Sequence, residues 1–174
     1  SAILHSPAEL LRIAKTGAKL YDIERLTWKE SLRAFRKQIE LGNIPDGTRI
    51  FINTISNSVL EKSDVETVEQ ENGDLLSRIV MEIIESEDVN EEYNKRKINR
   101  LESWNAYLAL DDFGTGYNSE YALITLHPNI VKIDRSIISG CDRDVSRRNV
   151  IISVVNLAKT KNILVLAEGV ETEG

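Results

Sequence analysis

Two adjacent aspartates, Asp111 and Asp112, close a hydrophobic run in LALDDFGTGYNSEY, residues 108–121, and a Gly-Thr-Gly turn follows them. A strand that only packs a core has no use for two carboxylates at its end. Similar runs carry polar side chains of their own: Asn53 in RIFIN, Glu82 and Glu85 in RIVMEIIE, Lys132 in IVKID and Glu168 in ILVLAE. From Asn53 through Glu82, Asp111 and Lys132 to Glu168 the separations are 29, 29, 21 and 36 residues, about one strand-plus-helix unit each. Carboxylates brought together repel and lose water, so they need a compensating cation. All-oxygen donors favour Mg²⁺ or Mn²⁺ over zinc. Adjacent aspartates can bind two such ions, Asp111 bridging and Asp112 on the second. A pair of ions roughly 3.5–4 Å apart activates a water and clamps a phosphoryl group in line.

Taken singly, most of these residues have a plainer use. An Asn at a strand end forms turns, a strand Lys snorkels, Glu85 is surface charge, and Asp-Asp before a Gly turn makes Asx hydrogen bonds. Taken together, acidic or amide groups at successive strand ends plus a strand lysine are hard to attribute to turns, and a metal site explains them better.

The elements that must position these groups follow from the hydrophobic pattern. Residues 6–41 read as two helices. Ser6-Pro7-Ala8-Glu9 is a capping box with proline at the first helical position, and Gly17 suits the helix end. Ile23, Leu26, Trp28, Leu32, Phe35 and Ile39 then run at helical spacing to a stop at Gly42. After the turn signal Pro45-Asp46-Gly47, residues 48–174 read as βα units. The strands are 49–53, 78–85, 107–112, 130–134 and 163–168, with helices at 90–104, 119–126 and 145–160 between them. The last helix presents Val150, Ile151, Val154, Val155 and Ala158 on one face. The acidic stretch 61–74 reads as a solvated loop. Strands rich in Val, Ile and Leu that alternate with helices predict an α/β fold of about five parallel strands. Right-handed crossovers bring the strand C-termini to one rim, where active sites form.

Composition narrows the function. A chain of 174 residues holds one domain. With 41% hydrophobic and 29% charged residues it is globular, and a net charge of −6 argues against a DNA- or RNA-binding surface. A phosphate ligand stays compatible if cations stand between it and the carboxylates. Cys141 is the sole cysteine, which suits a reducing, cytoplasmic setting. No apolar run reaches membrane-spanning length, so no direct membrane insertion is expected.

DDFGTGY, VKIDRS and LAEGVET, in that order and spacing, resemble the EAL-domain cyclic di-GMP phosphodiesterases. FINTIS is similar to that family's Asn-containing strand and MEIIES to its Glu-x-x-Glu strand. PAELLRIAKTGAKLYDIERL resembles the segment after the Glu-Ala-Leu strand. The resemblance implies a modified (β/α)₈ barrel that uses Mg²⁺ or Mn²⁺ to hydrolyse one phosphodiester of cyclic di-GMP to linear pGpG in bacterial second-messenger signalling. It implies that Asn53, Glu82 and Asp111 bind one ion and that Asp111 and Asp112 face a second. Lys132 would orient the attacking water, and Glu168 would be the general base or a second-metal group. Glu85 would brace the DFGTGY loop, and Glu171 is a weaker candidate for the same rim.

Three departures qualify that resemblance. No Glu-Ala-Leu tripeptide occurs, and the sequence stops just after EGVET. Asn118, Ser119 and Glu120 stand where the family usually has serines and an apolar residue. A full barrel takes about 250 residues. The expectation is therefore a partial EAL domain over 1–174, an incomplete TIM-like barrel lacking its first and last strands and weak or inactive alone. Its bare edge strands favour a homodimer or edge-strand association. The setting implied is a larger membrane-anchored or multidomain signalling protein. The alternative is a degenerate module that binds cyclic di-GMP or a protein partner without hydrolysis.

Overall fold

The computed structural model describes residues 7–84, 91–115 and 119–171, with the side chains of 7–8 and 119–120 excepted. Helices α1 (Pro7–Thr16) and α2 (Leu20–Glu40) precede the first strand, β1 (Ile50–Asn53). Then come α3 (Lys62–Asn72), β2 (Ile79–Ile84), α4 (Glu91–Trp104), β3 (Tyr107–Phe113), α5 (Ser119–Thr125), β4 (Ile130–Ile133), α6 (Arg135–Ile138), α7 (Val145–Thr160) and β5 (Leu164–Ala167). The strands form one parallel sheet in the order β1-β2-β3-β4-β5. β1 and β5 do not meet, so among the described residues the barrel is incomplete.

Side-chain alternation along these strands decides what goes where. Ile52, Ile79, Met81, Ile83 and Leu108 join Trp28 and Leu32 of α2 and Leu101 and Trp104 of α4 in one buried cluster. The two indoles meet edge to face, 5.9 Å apart. Leu110, Phe113, Val131 and Ile133 pack with Leu123 of α5 and with Val154 and Ala158 of α7 in a second. Val80, Ala109 and Ile130 form a small cluster of their own. They alternate with the helix-facing residues and so define the opposite, inner face of the sheet.

The helices correct the sequence pattern in three places. The stretch expected as a loop at 61–74 contains α3, because Val65 and Val68, one turn apart, bury into the first cluster while the acids face outward. On α2, Leu26 is exposed, and the buried stripe is instead Glu24, Trp28, Leu32 and Phe35. On α7, Val150 is exposed and Leu157 packs on the core in its place. The proposed Ser6 cap lies outside the described residues. Gly42, with φ +72°, adopts the left-handed backbone just past the end of α2.

Candidate metal centre

The sheet's inner face carries the predicted residues. Parallel pairing sets Asn53 opposite Glu82, Phe51 opposite Val80, Ala109 opposite Ile130 and Lys132 opposite Leu166. Glu82 therefore shares a face with Val80, Asp111 with Ala109, and Lys132 with Ile130. Glu168 falls two residues beyond Leu166, and its N–H donates to the Ile133 carbonyl at 3.1 Å. Five polar groups from five strand ends thus point one way.

Lys132 lies at their centre. Its Nζ is 2.6 Å from Glu82 Oε1, 2.8 Å from Asp111 Oδ1 and 2.7 Å from Glu168 Oε1, and its side chain is only 12% exposed. Burial works against the ammonium, yet hydrogen bonds to the three carboxylates outweigh it and hold the lysine charged well above its ordinary range. Burial raises Glu82, and Lys132 offsets only part of that.

Asp112 reaches the rim through a backbone irregularity. Strict alternation would turn it from the inner face, toward the side where Leu108 and Leu110 pack. The β3–β4 register shifts between Leu110 and Phe113, and Asp112 itself adopts φ +54°. A bulge of this kind re-aims a side chain, and Asp is among the few residues that tolerate the left-handed region. Thr115 secures the turn, its N–H and Oγ1 both donating to the Asp112 carbonyl. Burial, then the neighbouring Asp111, Asp134 and Glu168, push the Asp112 carboxyl upward.

Asp111, Asp112 and Glu168 each offer an oxygen, and these oxygens lie within 4.8 Å of one another. Four carboxylates with one ammonium leave the cluster short of positive charge. Hard oxygen donors at this spacing fit a divalent cation. Asn53 sits one strand away beside Glu82, with an exposed side chain.

Glu171, the weaker rim candidate, serves a different contact. Its carboxylate accepts from Arg135 at the start of α6, and both side chains are exposed. The Arg135 stem crosses Gly169, which has φ +65°; a Cβ there would meet Arg135 Cγ at 2.5 Å. Arg135 and Glu171 thus latch the end of β4 to the segment carrying Glu168. Gly169→Ala is expected to cost about 1–2 kcal/mol through its backbone conformation alone, with the clash added. Combining it with Arg135→Ala should recover the part due to the clash. Thermal unfolding of the single and double variants measures this, and an unchanged midpoint in Gly169→Ala refutes the latch. Sequence reading missed Arg135; the signal was its place directly after Lys132-Ile133-Asp134. Glu85 and residues 116–118 of the DFGTGY loop lie outside the described residues.

A family model described as the EAL domain matches residues 2–174. The Escherichia coli (strain K12) protein named "Probable cyclic di-GMP phosphodiesterase PdeG" is 27% identical over 172 residues, which cover 97% of this chain and 34% of that protein. "Cyclic di-GMP phosphodiesterase PdeL" of the same strain is 30% identical over 172 residues, 96% of this chain and 47% of that protein. The chain therefore spans a third to a half of the length of these curated relatives. The solved structure described as "PaMucR Phosphodiesterase, c-di-GMP complex" matches with a TM-score of 0.80 at 25% identity, covering 97% of this chain and 69% of that one.

Proposed function

The chain belongs to the EAL domain family, and from that premise we propose that it carries the metal-dependent chemistry that opens one phosphodiester bond of cyclic di-GMP to give linear pGpG. The observation that carries this reading is the carboxylate cluster Asp111, Asp112 and Glu168 at the strand ends, with Lys132 among its members. Relatives named as cyclic di-GMP phosphodiesterases match nearly the whole chain, which supports the same substrate.

In this reading Asn53, Glu82 and Asp111 would hold one Mg²⁺ or Mn²⁺, and Asp111 and Asp112 would face a second. The ions would supply charge to neutralise the phosphate and to acidify a water. Lys132 donates a hydrogen bond that orients the attacking water, and Glu168 takes its proton. Asp112, pushed out of the strand by its bulge, faces the phosphate side of the cluster.

No helix among the described residues is long and apolar enough to cross a membrane. A role in bacterial second-messenger signalling, as the family resemblance implies, together with the single cysteine, supports a cytoplasmic setting for this activity. Among the described residues the outer strands β1 and β5 each have a neighbour on one side only, and Leu164 and Leu166 of β5 are exposed. That edge favours strand-to-strand association, including a homodimer.

The test is incubation of the protein with cyclic di-GMP and excess Mn²⁺, followed by chromatography for the linear dinucleotide. Linear product that disappears with a chelator is the expected result. Cyclic di-GMP bound but not hydrolysed would establish a receptor instead, and neither binding nor turnover would sink the reading.

A further inference from the structure

We propose that Glu24 and Lys97, buried charged residues on two different helices, are positioning residues for Asn53. The inference rests on the reading of Asn53 as a metal ligand. Neither residue belongs to the carboxylate cluster.

Glu24, in α2, is 2% exposed, and Lys97, in α4, is 1% exposed. Charged side chains are almost never buried so deeply without a specific contact. Both act on the peptide that follows β1. One Glu24 oxygen accepts from Thr54 Oγ1 at 2.5 Å and from Trp28 Nε1 at 3.2 Å. The other accepts from the Ile55 N–H at 2.8 Å. Lys97 Nζ donates to the Ile55 carbonyl at 2.7 Å. Both polar groups of residue 55 are therefore gripped by opposite charges. The Thr54 N–H in turn donates to the Glu82 carbonyl at 3.0 Å.

Asn53 is the residue just before this clamp, and its Cα partner is Glu82. A strand end with an exposed side chain has little packing to hold it. Charge-assisted hydrogen bonds fix the two residues after it instead. Burial draws the Lys97 ammonium down to about 8, against the nearby Glu24 charge. A contact held at that cost is better explained by the backbone it fixes than by stability, because buried charge contributes little net stability. Partners behind metal ligands typically change metal affinity by about 10–100-fold.

The experiment is calorimetric titration of Mn²⁺ into the protein and into Glu24→Gln, Lys97→Met and Asn53→Ala. Gln has the shape of Glu but no charge and only one acceptor oxygen, so the Ile55 or Trp28 contact fails while the Thr54 hydroxyl can turn to accept. Thr54→Val, which loses only the hydroxyl, is the milder variant to read if either charge substitution does not fold. Phe35→Leu, eleven residues along the same helix, controls for general loss of stability. Expected is a Mn²⁺ affinity about tenfold weaker in the clamp variants, with Phe35→Leu binding like the parent. If the clamp variants bind Mn²⁺ normally while Asn53→Ala does not, the positioning role is overturned and the ligand assignment stands. Normal binding in Asn53→Ala overturns the assignment itself, and the inference falls with it.

Discussion

Lys132→Met will destabilise the metal-free protein by about 3–5 kcal/mol, the usual consequence of removing one partner from a buried ion cluster. Methionine keeps the length of the lysine stem but leaves Glu82, Asp111 and Glu168 facing one another without a cation. Glu82 and Asp111 are nearly buried, with side chains 6% and 12% exposed, so water cannot replace what is lost. The pH dependence has a definite sign. Lys132 is held charged above its ordinary value of 10.5, so its contribution is fully present below that value and fades only as pH rises through the higher folded value. Glu82 is raised in the folded protein and rises further without Lys132, so acid favours the folded variant. The gap between variant and parent should narrow as pH falls through the variant's folded Glu82 value and level off below the parent's, both of which lie above the ordinary 4.5. Added Mn²⁺ should raise the variant's melting temperature more than the parent's, because lysine no longer competes for the same oxygens. Equal stability in chelator would show that the three carboxylates do not depend on the lysine.

The part of this molecule that was legible in the sequence is the part governed by short-range periodicity. Each strand is a run of branched or aliphatic residues, and Asn53, Glu82, Asp111 and Lys132 fall on the inner-face parity of their own strands. The same alternation that shows the strand therefore shows which polar residues converge. Asp112 breaks that parity, and its place at the rim depends on a bulge that only the pairing of β3 with β4 specifies. α3 was hidden because its charges outnumber its two buried valines. Glu24 and Lys97 read as solvent-facing by their charge, although each lies on the apolar stripe of its helix, with Trp28 and Leu32 or with Leu101 and Trp104. Their burial depends on where Thr54 and Ile55 fall in space, which is tertiary information. The Arg135–Glu171 contact is of the same kind, since it joins residues 36 apart.

The residues of the carboxylate cluster should separate cleanly when each is replaced by its own amide. Glu168→Gln keeps size and hydrogen-bonding capacity but cannot accept a proton. Cyclic di-GMP binding should survive while hydrolysis falls by about 10²–10⁴-fold, the usual contribution of a positioned general base. Asp111→Asn acts earlier, because in the proposed arrangement Asp111 is the only group shared by both ions. Removing its charge weakens both ions at once, so Mn²⁺ binding itself should be lost and hydrolysis with it. Asp112→Asn touches one ion only and should weaken the second binding event more than the first. Titration calorimetry with Mn²⁺ and a turnover assay on the same three variants decide among these roles. Glu168→Gln that loses Mn²⁺ affinity but regains turnover at saturating metal would make the glutamate a ligand and not the base. Asp111→Asn that binds two ions as tightly as the parent would show that Asp111 is not shared between them, and its assignment as the common ligand would fail.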